Sequence, residues 1–339
     1  MSMTQQDIDG KYMRRCLQLA ANGLLTTKPN PMVGAVIVAP SKKNDESIII
    51  GEGFTSPVGG PHAEVNAFAS VKKENEYLLP YSTIYVSLEP CSHWGHTPPC
   101  CDLIISKHIK RCVCGCVDPF AKVQGRGIKR MRDAGIEVTV GVLEDECKAI
   151  NKRFMTFNEH KRPYIILKWA QTINGIIGRA SLLPEGDGPE ERSPLRLSTP
   201  FTTMLSHKLR AENDAILVGR GTLEADHPQL NTREWTGKNP ERIVLSHHKD
   251  GIPDGFTWCN SIEAVMHHLY EEQKQSLIVE GGANVLNDFI SQGLWDEIRV
   301  EVASFTVSGG VNAPVLPDTA TLYKKEEYDG NAIYWFKKQ

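Results

Sequence analysis

Two stretches of the N-terminal half, PHAEVNAFA (61–69) and SLEPCSHWGHTPPC (87–100), decide how this part of the chain folds. The first stretch follows Gly59 and Gly60, which form a turn with Pro61, and its apolar residues at helical spacing predict a helix that begins near His62. The second follows the strand-like run TIYVSL (83–88) and leads into a further short helix. Strands that turn into helices in this way are typical of an α/β domain.

These two turns carry residues with the chemistry of a zinc site. His62, Cys91 and Cys100 offer one nitrogen and two sulfur ligands, and a catalytic zinc ion keeps its fourth tetrahedral position for water. Bound zinc lowers the pKa of such a water from about 15.7 to roughly 7. Glu64 lies two residues after His62 and is predicted to be the catalytic residue that moves protons. The pattern therefore predicts zinc-assisted hydrolysis.

Other interpretations are open for each residue taken alone. A histidine and a glutamate are common at a helix start, and Cys91 and Cys100 would be ordinary buried thiols. A structural zinc site needs a fourth protein ligand; Cys101 is the candidate, although neighbouring helix positions point in different directions. The zinc deaminase signature is H-x-E followed by P-C-x-x-C, whereas eight residues separate the two cysteines here. The occurrence of His62, Glu64, Cys91 and Cys100 together favours a catalytic zinc site with one ligand position open to water.

The composition sets the broad class of the protein. The chain has 339 residues, which favours two domains, and 40% of them are hydrophobic, which suits a globular fold. Its formal net charge is -3, so a nucleic-acid partner is not expected. We find no apolar run long enough to span a membrane and no apolar signal core, so we expect a cytoplasmic protein without a membrane partner. Nine cysteines without an export signal favour reduced thiols over disulfides.

Strands alternate with helices along both halves of the chain. The alternation over residues 1–148 predicts a three-layer α/β/α domain whose first helix covers 9–24, and a polar helical stretch at 144–161 is interpreted as a connector. A second alternation over residues 162–339 predicts a second α/β domain. Residues 181–195 are rich in glycine, proline and acid, which predicts an exposed loop.

Three further cysteines share one face of a predicted strand. Cys112, Cys114 and Cys116 alternate along RCVCGCV (111–117). A second metal site is one interpretation of this pattern. Buried small side chains are the favoured interpretation, because free cysteine is among the most buried residue types.

In the second half, glycines follow two predicted strands. They lie in LVGRGT (217–222) and IVEGGANVL (278–286), where a strand leads into a helix. Glycine lets the backbone approach a ligand, and a helix N-terminus attracts phosphate. Neither stretch matches the dinucleotide fingerprint G-x-G-x-x-G, so these residues alone do not establish a cofactor site.

Longer motifs in both halves resemble one known family, the bifunctional riboflavin-biosynthesis deaminase–reductases. The motifs that resemble its deaminase half are KPNPMVGAV (28–36), SLEPCSHWGHTPPC (87–100) and DPFAKVQGRGI (118–128). Those that resemble its reductase half are KWAQTINGIIG (168–178), KLRAENDAILVGRGTLEADHPQLNTR (208–233) and VEGG (279–282). The resemblance implies a cytidine-deaminase-like domain followed by a dihydrofolate-reductase-like domain.

The resemblance also implies two successive reactions on one small phosphorylated pyrimidine. A 2,5-diamino-6-(ribosylamino)-4(3H)-pyrimidinone 5′-phosphate exchanges its 2-amino group for water oxygen and releases ammonia. NADPH then reduces 5-amino-6-(5-phosphoribosylamino)uracil to the ribityl form. The implied cofactors are one Zn²⁺ per chain and NADPH, and the implied assembly is a homo-oligomer.

Individual site residues follow from the matched motifs. In the deaminase half, Asn30 is expected to hold the pyrimidine ring. His93 and His96 are candidates for the ribose phosphate, although relatives often have Arg at position 96. The residues expected at NADPH are Ala170, Thr222, Asp226, Gly281 and Gly282. The residues expected at the second substrate are Arg210, Leu230, Arg233 and Glu280. The two arginines suit phosphate oxygens; the alternative is that they are solvated surface residues.

The chain departs from the family's usual pattern in the reductase half. It has Asn174 where relatives usually have Asp, and RLS (196–198) where they usually have a Trp-Ile-Thr/Ser run. These changes motivate an alternative in which the deaminase is joined to a degenerate reductase half that acts as a scaffold. A nucleic-acid deaminase is the other alternative, which the near-neutral charge disfavours.

Overall fold

The described part of the computed structural model comprises residues 3–41, 47–94, 98–119, 124–178 and 195–339. Contacts divide the chain into two compact units, Met1–His160 and Lys161–Gln339. No helix among the described residues is both long and apolar enough to cross a bilayer.

The first unit is built around a five-stranded sheet with helices packed against it. Its strands are β1 (Gly34–Pro40), β2 (Ser47–Phe54), β3 (Thr83–Leu88), β4 (Arg111–Cys116) and β5 (Glu137–Val140). Its helices are α1 (Gln5–Ala20), α2 (Ala63–Ala69), α3 (Cys100–Ser106), α4 (Arg126–Asp133), α5 (Glu144–Ile150) and α6 (Lys152–His160). Short 3-10 helices cover Ala21–Gly23 and Lys73–Tyr81.

The strand order of this sheet is β2-β1-β3-β4-β5. Strand β1 is antiparallel to both of its neighbours, whereas β3, β4 and β5 are parallel. Helix α1 crosses one face closely, since a Cβ on Gly34 would lie 1.9 Å from the Cys16 carbonyl oxygen. Helix α2 crosses the other face, where a Cβ on Gly53 would lie 2.4 Å from the Ala67 nitrogen. The sheet is therefore the middle of three layers, and it brings the ends of β3 and β4 beside the turns that carry the cysteines.

The first helix begins earlier and ends earlier than its apolar spacing predicts. Thr4 and Asp7 form a capping box, in which the Thr4 hydroxyl accepts from the Asp7 N–H and the Asp7 carboxylate accepts from the Thr4 N–H. Such a box fixes a helix start independently of apolar periodicity. The predicted range 9–24 was wrong at both ends, because a 3-10 turn follows at Ala21.

The stretch interpreted as a connector forms α5 and α6, and both helices belong to the first unit. Cys147 of α5 packs directly on β4, where a Cβ on Gly115 would lie 2.3 Å from the Cys147 sulfur. Asn151 lies at the junction of the two helices and is 3% exposed. These helices therefore complete the layer that also contains α1.

The three cysteines of β4 belong to the core of this unit. Cys112, Cys114 and Cys116 are each 0% exposed, and the first two sulfur atoms lie 3.8 Å apart. The interpretation as buried side chains is confirmed. Among the described residues, these cysteines form no group with the ligand spacing of a metal site.

The second unit is built around an eight-stranded sheet. The strands of this unit are β6 (Tyr164–Gln171), β7 (Ile176–Gly178), β8 (Ala215–Gly219), β9 (Glu241–Leu245), β10 (Thr257–Cys259), β11 (Ser276–Val279), β12 (Glu297–Val302), β13 (Val311–Asn312), β14 (Ala320–Tyr328) and β15 (Asn331–Lys338). Its helices are α7 (Pro200–Ala211), α8 (Arg220–Asp226), α9 (Ile262–Glu271) and α10 (Ala283–Ser291).

The order of the large sheet is β10-β9-β8-β11-β6-β12-β15-β14, and β7 pairs separately with β13. The six strands from β10 to β12 are parallel, whereas β15 and β14 continue the sheet antiparallel. The neighbouring strands β8, β11 and β6 therefore end at the same edge of the sheet. In open parallel sheets this edge is where ligands bind.

Residues 181–194 of the predicted exposed loop lie outside the described residues. Strands β14 and β15 were missed by the apolar pattern, although a signal for them exists. Asp329 and Gly330 both have positive φ, 49° and 84°, and Tyr328 pairs with Asn331 across them. An Asp-Gly pair in a two-residue hairpin loop is a strong sequence signal, so this hairpin was predictable.

Candidate active sites

The first candidate site lies where β3 ends and two helices begin. His62 is the N-cap of α2, with the extended backbone angles φ -71° and ψ 166°. Cys91 follows the end of β3, and Cys100 is the first residue of α3. The N–H of Cys100 donates to the Cys91 sulfur at 3.2 Å, and the N–H of Cys101 donates to the Cys91 carbonyl at 3.2 Å. The backbone thus holds the two cysteine turns together.

The three predicted ligands converge on one point. The Nδ1 atom of His62 lies 3.6 Å from the Cys91 sulfur and 3.3 Å from the Cys100 sulfur, and all three ligand atoms lie within 4.8 Å of one another. Tetrahedral zinc with its usual bond lengths would place nitrogen and sulfur ligands about 3.5 Å apart. The donor set and its spacing therefore fit zinc, and the described residues contain no other cluster of this kind.

Glu64 lies in the first turn of α2, beside this cluster, and is 4% exposed. Burial and the neighbouring Cys91 raise the pKa of Glu64 to about 7. A carboxyl group with such a pKa exchanges protons readily near neutral pH, which is the requirement for a general acid–base residue. The buried Glu64 carboxyl and the Cys91 and Cys100 sulfur atoms thus lie together at one site, which suits a bound cation.

The loop that carries Asn30 joins the loop that leads to His62. The Val58 N–H donates to the Thr26 carbonyl at 3.3 Å, and Val33 exchanges hydrogen bonds with Thr55. Asn30 itself is exposed on this loop. His93 is also exposed, whereas His96 lies outside the described residues, so its proposed contact with phosphate stays a prediction.

The second candidate site is a cavity of about 670 Å³ at the carboxyl edge of β6, β8 and β11. Its size is typical of a ligand pocket. It contains every residue expected in the reductase half, namely Ala170, Arg210, Thr222, Asp226, Leu230, Arg233, Glu280, Gly281 and Gly282. Parallel strand order brings these distant positions together.

Buried charges form the floor of this cavity. Arg210 donates from Nη2 to the Glu280 carboxylate at 2.8 Å and from Nε at 3.3 Å, and Lys168 Nζ lies 3.8 Å from the same carboxylate. Although burial alone would raise the pKa of Glu280, Lys168 and Arg210 lower it to about 2. Burial lowers the pKa of Lys168. Glu280 is therefore ionised, and it holds the Arg210 and Lys168 side chains in place.

The two arginines expected at phosphate differ in how many of their N–H groups are already hydrogen-bonded and in how exposed they are. Arg210 uses Nε and Nη2 on Glu280 and Nη1 on the Asn231 carbonyl, so much of its donor capacity is engaged within the protein. The Arg233 side chain is 50% exposed and donates to the Asn231 side chain at 2.9 Å. Arg233 is the better placed of the two to turn towards a phosphate group.

The glycine pair lies where β11 leads into α10. The Gly282 N–H donates to the Thr222 hydroxyl at 2.8 Å, and α10 has no side-chain cap at its N-terminus. The first N–H groups of a helix have no partner within the helix, so this end suits an anionic group. A Cβ on Gly281 would lie 3.1 Å from the Gly219 nitrogen, so the ends of β8 and β11 approach closely. The uncapped helix and the cationic floor fit a phosphate-bearing ligand.

Asn174 has a structural role that aspartate would not fill. Its Nδ2 donates to the Val307 carbonyl at 2.8 Å, and its Oδ1 accepts from the Val307 N–H at 3.3 Å and from the Thr172 hydroxyl at 2.8 Å. An aspartate could accept but could not donate to the carbonyl. Arg196, the other departure, is exposed and lines the second cavity.

The sequence pattern does not single out two charged residues of this region, the half-buried Lys168 and the buried Glu301. Lys168 lies in the cavity floor, and Glu301 is 0% exposed beside it on β12, where it accepts from Ser198, Thr202 and Asn331. Lys168 begins the motif KWAQTINGIIG (168–178), but nothing in the sequence spacing relates it to Glu280. The pairing register of β6 and β11 makes them neighbours.

Comparison with known proteins decides the family. Residues 6–116 match the model of the cytidine and deoxycytidylate deaminase zinc-binding region, and residues 163–327 match the RibD C-terminal domain. The riboflavin biosynthesis protein RibD of Aquifex aeolicus is 34% identical over 91% of this chain and 90% of its own length. The chain belongs to the RibD family. The Escherichia coli RibD protein is a further relative, 32% identical over 87% of each chain.

Solved structures of this family agree with the fold. A RibD structure from Acinetobacter baumannii superposes with a TM-score of 0.84 at 26% identity, over 99% of this chain and 100% of that one. A Thermotoga maritima deaminase/reductase superposes with a TM-score of 0.83 at 31% identity, over the same shares. The predicted α/β fold class of both halves and the predicted family are confirmed.

Family membership establishes what kind of protein this is. RibD proteins are bifunctional enzymes of riboflavin biosynthesis, with a zinc-binding deaminase half and an NADPH-dependent reductase half. This chain contains both halves, so it is a deaminase joined to a reductase that acts on a small phosphorylated pyrimidine. The predicted activities and cofactors are confirmed.

Proposed function

We propose that each half of this chain catalyses one of two consecutive steps named for its Thermotoga maritima relative, a diaminohydroxyphosphoribosylaminopyrimidine deaminase and 5-amino-6-(5-phosphoribosylamino)uracil reductase. The first half would replace the 2-amino group of the diaminopyrimidine by oxygen from water. The second half would reduce the ribosyl carbon C1′ to give the ribityl chain. The observation that supports the first step most strongly is the convergence of His62, Cys91 and Cys100 beside buried Glu64.

In the first step, His62, Cys91 and Cys100 would hold zinc, which supplies a water that ionises near neutral pH. Glu64 takes the proton that this water loses and delivers it to the departing amino group, so that ammonia leaves. Its buried position keeps bulk water from competing for that proton. Asn30 holds the edge of the pyrimidine ring with its amide, which can both donate and accept.

In the second step, the cavity residues bind and orient both ligands while NADPH supplies the hydride. Thr222, Asp226 and the start of α10 form the cofactor side, where the helix N-terminus faces phosphate. Arg233 binds the substrate phosphate, and Glu280 holds the Lys168 amino group in the floor of the cavity. Hydride addition requires one proton as well, and the charged floor provides donors for it.

The wider interactions of the chain remain part of this proposal. We expect a homo-oligomer, which sedimentation of the purified chain would test. We expect no nucleic-acid substrate, because proteins that bind a phosphate backbone are usually strongly basic and this chain has a formal net charge of -3. Binding of RNA that weakens steeply with salt would contradict this expectation.

The proposed roles in the first half are tested with a Glu64→Gln variant. We expect it to retain zinc and to lose deamination by about 10²–10⁴-fold in kcat, the usual contribution of general acid–base catalysis. Zinc is measured by metal analysis and deamination by ammonia release. Retained deamination in this variant would remove Glu64 from the proposed mechanism. A Cys91→Ser variant is the matched comparison, since it should lose zinc as well as activity.

A further inference from the structure

Asn151, near the C-terminal end of the first unit, is hydrogen-bonded to the loop that carries Asn30. Its Nδ2 donates to the Met32 carbonyl at 2.8 Å, and its Oδ1 accepts from the Met32 N–H at 2.8 Å. The side chain therefore pairs with the backbone of Met32 as a neighbouring strand would. It does so from the junction of α5 and α6, 119 residues away along the chain.

The two hydrogen bonds from Asn151 hold Met32, which precedes the first residue of strand β1. Strand β1 begins only at Gly34, so the preceding residues receive no ladder hydrogen bonds within β1. Val33 is held from one side by Thr55, which exchanges hydrogen bonds with it at 3.0 and 3.1 Å. Asn151 holds Met32 next to it. The Asn151 side chain thus holds the backbone of Met32, and the backbone and hydroxyl of Thr55 hold that of Val33, two and three residues after Asn30.

The surroundings of Asn151 make this contact specific. Asn151 is 3% exposed, so a Met32 N–H or carbonyl that lost its partner there would be poorly solvated. An aspartate has the same shape but no N–H to donate, and would place its charge against the Met32 carbonyl. An amide side chain can satisfy both the N–H and the carbonyl of Met32 at once.

We infer that Asn151 is a positioning residue for deamination, which acts through the Met32 backbone on Asn30. The inference rests on the proposed contact between Asn30 and the pyrimidine ring. It assigns α5 and α6 a part in substrate binding, although neither helix carries a zinc ligand. Small displacements of a group that orients substrate have large effects on rate, which makes the residue observable.

The test combines Asn151→Asp and Asn30→Ala, singly and together, in the full chain. We expect Asn151→Asp to raise the KM of the diaminopyrimidine phosphate on the order of tenfold, the effect of about one lost hydrogen bond. Zinc content and the reductase rate with the deaminated substrate should be unchanged. In the Asn30→Ala background, Asn151→Asp should add little, because residues that act through one another are not additive.

The outcomes separate this inference from the proposed function. If Asn30→Ala alone leaves KM and kcat unchanged, the proposed role of Asn30 is wrong. If Asn30→Ala has an effect and Asn151→Asp multiplies it fully, or leaves KM unchanged by itself, the inference is overturned. Asn22→Asp is the control, since Asn22 is exposed and makes one contact with the Leu19 carbonyl. If Asn151→Asp does not fold, Asn151→Ser replaces it, because serine removes the paired contact without adding charge.

Discussion

At the scale of single residues, two carboxylates of this chain lie in the interior beside cationic side chains. One is Asp9 of helix α1, in the core of the first unit, and the other is Glu280 in the second site. Asp9 is 4% exposed and accepts two hydrogen bonds from Arg111 at 2.8 Å, and one from Tyr85 at 2.9 Å. Glu280 holds Arg210 and Lys168 in the same way. Each carboxylate is stable in the interior because its cations are close.

The Asp9 ion pair predicts how the stability of the first unit depends on pH. Although burial alone would raise the pKa of Asp9, hydrogen bonds from Arg111, Gln5 and Tyr85 lower it below its ordinary value of 3.8. The unfolded chain therefore binds more protons in acid than the folded chain, so this contribution is present above about pH 4 and is lost as the pH falls through the folded pKa.

We therefore expect Asp9→Asn to lower the free energy of unfolding by about 1.5–3 kcal/mol at pH 7, the usual value of a hydrogen bond to a charged group. The loss is limited because Glu137 and Thr139 still accept from the Arg111 guanidinium. The difference from the parent chain should shrink as the pH falls below 4. Urea unfolding at several pH values measures it. Asp133→Asn is the control, because its pair with Lys129 is exposed and should matter little. A difference that stays constant down to pH 2 would contradict the account.

Glu280 predicts an effect confined to the reductase. Glu280→Gln removes the charge that balances Arg210 and Lys168, so we expect kcat/KM for NADPH-dependent reduction to fall by at least about 10²-fold, the effect of losing a fixed catalytic charge. Ammonia release should stay at the parental rate. Glu327→Gln is the control, since Glu327 forms an exposed pair with Lys325 in the same unit. An unchanged reduction rate in Glu280→Gln would remove this residue from the site.

At the scale of elements, the departures from the usual family pattern have different consequences. Asn174 fastens the turn after β6 to Val307 and uses both ends of its amide. The residue therefore fits this chain, and its presence is no sign of a degenerate reductase. Arg196 adds an exposed cation to the cavity, and nothing in the structure explains the change at that position.

Asn174→Asp is expected to remove the hydrogen bond from the Asn174 amide to the Val307 carbonyl, although it restores the residue that is more usual in the family. It should lower the free energy of unfolding of the second unit by about 0.5–1.5 kcal/mol, the value of one exposed hydrogen bond. Chemical denaturation measures the change. Asn287→Asp adds the same charge at an exposed position of α10 and should be nearly neutral. A more stable Asn174→Asp variant would show that the contact with Val307 contributes nothing.

The elements also show which parts of the fold the sequence could reveal. Zinc ligands and their prolines lie in short motifs, so the first site was predictable from local pattern. The Asp329-Gly330 pair is an equally local signal, of a two-residue hairpin turn. The charged cavity floor was not predictable, because Lys168 meets Glu280 only through the register of two parallel strands. Asn151 is a further case, since its contact with Met32 joins distant parts of the chain.

At the scale of the whole molecule, two sites of different chemistry lie in two separate units of one chain. The first concentrates negative ligand atoms and a buried carboxyl around one cation site. The second combines a cationic floor with an uncapped helix, which suits ligands with phosphate groups. Neither site shares a residue with the other, so the two reactions should be separable by substitution.

The central claim is that one chain performs both reactions in order. We would incubate the zinc-loaded protein with the diaminopyrimidine ribosyl phosphate and follow ammonia, then add NADPH and follow its absorbance. The account predicts ammonia release without NADPH, and NADPH oxidation only after ammonia has been released. Glu64→Gln should lower both signals by at least about 10²-fold with this substrate and should still oxidise NADPH with the deaminated product. NADPH oxidation by Glu64→Gln at the parental rate with the original substrate, or no ammonia from the zinc-loaded parent, would contradict it.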